Sequence, residues 1–145
     1  MCDACNPETH ETKPLLINGE EVQIDCGIYE LVSRVCSSGL PTVQSCQNDP
    51  RSLHEGLAEN PVAYLGFAEL DQACQFLRTA GQGRGARRLA TRVESLDPRK
   101  NPSRNTDIGD DWFVLWVKMP EATFFLVYFP VTEIPTLEEK FTCVS

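Results

Sequence analysis

The sequence predicts an α+β domain of the ferredoxin-like, split βαβ type, ordered β-α-β-β-α-β, with an extra β-hairpin at its C-terminal end. Three observations carry that expectation. Apolar residues alternate along EEVQID (Glu20–Asp25), and Ala63, Leu65 and Phe67 fall on one face of VAYLGF (Val62–Phe67), the period of half-buried strands. They recur at helical spacing over Ile28–Cys36 and Leu70–Leu77. Two long apolar runs, WFVLWVKM and TFFLVYFPV, then follow one another near the end of the chain.

Taken in order, residues 1–19 read as a polar arm containing two prolines and ending in the turn signal Asn18-Gly19. A single domain is expected over 20–145. After the EEVQID strand, Ile28, Leu31, Val32, Val35 and Cys36 form one stripe of a helix, with Asp25 near its start and Gly39 just past its end. Pro41–Gln47 is a polar strand, expected at the sheet edge, where polarity discourages pairing with other chains, and in a hairpin with Val62–Phe67. Leu70, Ala73, Cys74 and Leu77 repeat the helical stripe. Glu69 and Asp71 suit the positive end of that helix, and Gly81 is placed to terminate it.

Leu89–Leu96 supplies the next strand, although Ala86, Leu89, Ala90 and Val93 also fit a helix, and Asp97–Asp111 is a loop by composition. The two apolar runs form a hairpin around Pro120-Glu121-Ala122. Trp112, Val114 and Trp116 share one face of it and Phe113, Leu115 and Val117 the other, so both faces are expected to be buried, with a homodimer as one way of covering the second. Thr136 and Glu139 match a capping box for a last helical turn containing Leu137 and Phe141.

A chain of 145 residues buries roughly two thirds of its unfolded surface, enough for a core without staples. Its apolar runs are too short to cross a bilayer and its start has no secretory pattern, so a cytoplasmic protein with no membrane contact is expected. Seven cysteines in such a compartment are expected as reduced thiols.

Net charge of −8 argues against generic nucleic-acid binding, which needs positive charge to neutralise phosphates. The average hides an asymmetry. Residues 81–106 carry seven of the thirteen basic residues against Glu94 and Asp97, a balance of +5, which leaves −13 for the remainder.

Three constellations could carry chemistry. In GQGRGARR (Gly81–Arg88), alternating glycines allow backbone N–H groups to turn toward an anion. Arg84, Arg87, Arg88 and Arg92 supply guanidinium forks that grip phosphate oxygens at two points. The spacing is neither that of a P-loop nor that of a dinucleotide fingerprint, and the competing reading is a helix terminator followed by a solvated arginine face. The second constellation is catalytic: Cys46 as nucleophile, His54 as its base and Asp49 as orienter, on or beside a loop of about fourteen residues, long for a hairpin. Against it, no oxyanion motif accompanies the trio, and free cysteines are commonly small buried hydrophobes. The third is a zinc site. Cys2-x-x-Cys5-x4-His10 offers three ligands, with Cys46 or Cys26 as the fourth, but a single CxxC lacks the second ligand pair of an established zinc pattern.

One pattern runs through the first half of the chain: Cys2-x-x-Cys5, Ile24-Asp25, Gly39, Thr42, Ser45-Cys46-Gln47, then Ala63-Tyr64 and Phe67. It resembles a group of short bacterial and phage proteins with an "ID, G-x-x-T-x-x-SCQ, AY-x-x-F" core, to which no activity is attached. The resemblance implies a bacterial or phage accessory protein. Joined to the arginine segment, it leads to the expectation of a non-enzymatic protein that binds an anionic, nucleotide-like ligand, for instance to sequester a defence signal. The alternatives are a cysteine-dependent enzyme, or a module that engages a host protein through its acidic surface or its aromatic hairpin.

Overall fold

The computed structural model describes residues 11–48, 60–80, 112–120 and 122–141, together with the backbone of 103–104. Within these residues the chain is α+β, with two antiparallel sheets and three α-helices. The first sheet is a two-stranded hairpin of β1 (Thr12–Ile17) and β2 (Glu20–Asp25). Its two-residue turn, Asn18-Gly19, has φ of 52° and 82°. Positive φ at both positions is what a tight hairpin turn of this length needs, and Asn-Gly tolerates it best. A short 3-10 turn (Cys26–Ile28) leads into α1 (Tyr29–Ser37), which buries Leu31, Val32 and Val35.

The second sheet has the order β3-β4-β7-β6-β5, with β3 at Gln44–Cys46, β4 at Val62–Phe67, β5 at Ser103–Arg104, β6 at Phe113–Lys118 and β7 at Thr123–Pro130. Between β4 and β5 lies α2 (Leu70–Ala80), and after β7 a 3-10 turn enters α3 (Ile134–Lys140). One sheet face presents Ala63, Leu65, Phe67, Val114, Val127 and Phe129 to the helices, forming the main core with Leu31, Val35, Phe76, Leu77 and Leu137. Phe76 is its aromatic hub, within 5.2–6.1 Å of the rings of Phe67, Phe129 and Phe141. The opposite face holds a second buried cluster of Cys46, Val62, Tyr64, Phe113, Leu126 and Tyr128. Both faces of the aromatic hairpin are buried at its base, Phe113, Val114 and Leu126–Phe129, whereas Leu115, Trp116, Val117, Phe124 and Phe125 toward its turn are only half-buried.

Several expectations change. The ferredoxin-like order would place Glu20–Asp25 in the main sheet beside β4, yet that position belongs to β7, which pairs with β4 from Val62↔Pro130 to Phe67↔Phe125. The reason is apolar content. A strand covered on both faces reads as a near-continuous hydrophobic run. β7 supplies one, with Leu126–Phe129 all buried, whereas β2 buries only Ile24. The C-terminal hairpin is thus the centre of the sheet rather than an addition to it. Residues 12–17, read as part of a polar arm, form β1 and pair along the whole of β2. Ser103–Arg104, read as loop, forms a two-residue edge strand on β6. The last helix starts at Ile134 with Pro135 in its first turn, a position that needs no N–H, so Thr136 lies inside the helix and the Thr136–Glu139 capping box is not made. Residues 86–96, the strand-or-helix segment, lie outside the described residues.

Candidate functional site

Of the candidate site residues, the structure describes Cys46 and Cys26; Cys2, Cys5, His10, Asp49, His54, Arg84, Arg87, Arg88 and Arg92 lie outside the described residues. Cys46 is the last residue of β3, paired with Tyr64 of β4, on the sheet face away from the helices. Its side chain has no solvent exposure. It is disulfide-bonded. This overturns the expectation of reduced thiols at this position. In this state the sulfur is neither a thiolate able to attack a substrate nor a zinc ligand. Cys26, the other fourth ligand considered, is a half-buried thiol, and neither it nor Cys36 nor Cys74 is in a disulfide. Among the described residues no group of three His, Cys, Asp or Glu side chains is arranged to hold a metal ion.

The surroundings of Cys46 show what the "ID" and "SCQ" signatures do. Asp25 closes β2 and Gln47 follows β3, and the two strand ends meet. The Gln47 N–H donates to Asp25 Oδ2 at 3.1 Å, and Gln47 Oε1 accepts from the Gly27 N–H at 2.7 Å. A Cβ at Gly27 would overlap Gln47 Oε1, the far end of a flexible side chain, so a larger residue here would displace the glutamine from the Gly27 N–H. Hairpin and main sheet, which share no ladder, are joined through one glutamine: its backbone holds the aspartate and its side chain holds the glycine. A further contact seats the hairpin, Tyr29 Oη donating to the Pro14 carbonyl at 3.0 Å, and the Cys26 N–H, donating to the Glu11 carbonyl at 2.7 Å, extends the hairpin's own ladder by one pair. The sequence pattern contains Asp25 and Gln47 of this joint but neither Gly27 nor the contact. The available signal was Gly27 directly after Asp25-Cys26, in a position where helix start and strand end must both turn.

The aromatic residues do not form an open platform for stacking a base. Trp112 and Tyr128 are buried, Tyr128 lies against Phe113 at 4.6 Å and Tyr64 at 5.1 Å between ring centroids, and half-buried Trp116 is flanked by Phe125 and covered by Lys118 Nζ at 4.6 Å. α2 matters for a different reason. It runs to Ala80 and so delivers the chain directly to the Gly/Arg segment that begins at Gly81, anchored by buried Ala73, Cys74, Phe76, Leu77 and Ala80. Burial holds the Cys74 thiol above its ordinary pKa, Arg78 opposing and Asp71 reinforcing the shift. Cys74 is therefore a core residue with suppressed reactivity.

Comparison with protein-family models, with curated proteins and with solved structures finds no match to this chain. No helix among the described residues is long and apolar enough to cross a membrane.

Proposed function

We propose that this protein is a small non-enzymatic binding module that takes an anionic, nucleotide-like ligand through the Gly/Arg segment 81–92, with sequestration of such a ligand by a bacterial or phage accessory protein as its role. The observation that carries the reading is the charge asymmetry: a balance of +5 in residues 81–106 of a protein whose net charge is −8. Solubility alone calls for no such concentration, because an acidic protein is already kept apart by its own net charge. Clustered arginines separated by glycines instead suit two-point recognition of phosphate oxygens by guanidinium forks and backbone N–H groups. The rigid end of α2 is consistent with this, since a site that follows a packed helix starts from a fixed anchor.

The cysteine-enzyme reading receives no comparable support, because Cys46 is buried and disulfide-bonded. The test is titration of the full chain with ATP as a probe, alongside Arg87→Glu/Arg88→Glu, with circular dichroism to verify folding. Loss of binding in a folded variant supports the reading; binding of equal strength in the variant refutes it.

A further inference from the structure

We draw no further inference here: the strongest candidate, the notch of about 90 Å3 between β2 and β3 bordered by exposed Val22 and Val43, is an unpartnered apolar edge, and nothing in the structure shows what covers it.

Discussion

The two sheets of this protein are held by different means. In the five-stranded sheet, β4 and β7 pair through six successive positions, and the residues that flank the ladder are buried on both faces. The β1–β2 hairpin adds only Ile17, Ile24 and half-buried Leu15 to the main core, leaves Leu16 71% exposed, and makes its other attachments through side-chain-mediated hydrogen bonds. An isolated two-stranded hairpin is marginal in water, so its order depends on what it docks against. The contrast is one of degree: the central sheet is stable by burial on both faces, the hairpin by a small apolar dock of Ile17, Ile24 and Leu15 supplemented by a few directional contacts, so the hairpin should fail first.

The sharpest way to break the comparison is in the main core. Phe76→Ala removes the ring shared by Phe67, Phe129 and Phe141 and should cost about 3–5 kcal/mol in urea unfolding, lowering the stability of the whole domain. A cost below about 1 kcal/mol would mean that the helix-covered face is not the principal core.

The joint comes next. Gly27→Ala pushes a methyl group onto Gln47 Oε1, the mobile end of that side chain, so the glutamine swings aside and the Gly27 N–H turns to water; the change should cost about 0.5–1.5 kcal/mol, seen as faster hydrogen exchange in β1 and β2 with β4 and β7 unchanged. Gln47→Ala alone should cost about the same, because it removes the same hydrogen bond. The double variant should cost little more than either single change, since both act on one contact. Simple additivity of the two changes would show that the overlap is not the cause.

On the hairpin surface, Leu16→Ser should change stability by no more than about 0.5 kcal/mol, because the side chain is already in water. The thiols give the finest contrast. Cys74 should alkylate more slowly than free Cys26 in the folded protein at pH 8, and mass spectrometry of the labelled peptides would decide it. The sign for stability follows. A thiol pKa raised on folding leaves the unfolded state to ionise first, so the Cys74 contribution is intact below the unfolded value of 9.0 and falls as pH rises through it.

Much of this architecture was legible in the sequence where periodicity is local. Val62–Phe67 is a strand over its full predicted length, α1 and α2 follow their apolar stripes, and the Pro120 turn joins the strands expected on either side of it. What was not legible depends on competition between distant segments. Nothing within EEVQID says that TFFLVYFPV will outbid it for the place beside β4, a choice made by total apolar surface rather than by either strand's own pattern. β1 is not legible because the three exposed positions before Leu15, Thr12, Lys13 and Pro14, mask its short apolar end. The joint joins residues 20 and 22 positions apart through a side chain, which no periodicity encodes. Cys46 was correctly seen as part of a polar edge strand, but its disulfide requires knowledge of where a second sulfur folds.

The functional claim rests on the arginine segment, and native mass spectrometry tests it most directly. The full chain would be sprayed after incubation with ATP, beside Arg87→Glu/Arg88→Glu and beside the chain treated with a thiol reductant. The account predicts a one-to-one ATP adduct on the wild-type chain that survives reduction of the Cys46 disulfide and disappears in the arginine variant. An adduct retained by the folded arginine variant, or no adduct on the wild-type chain, would contradict it.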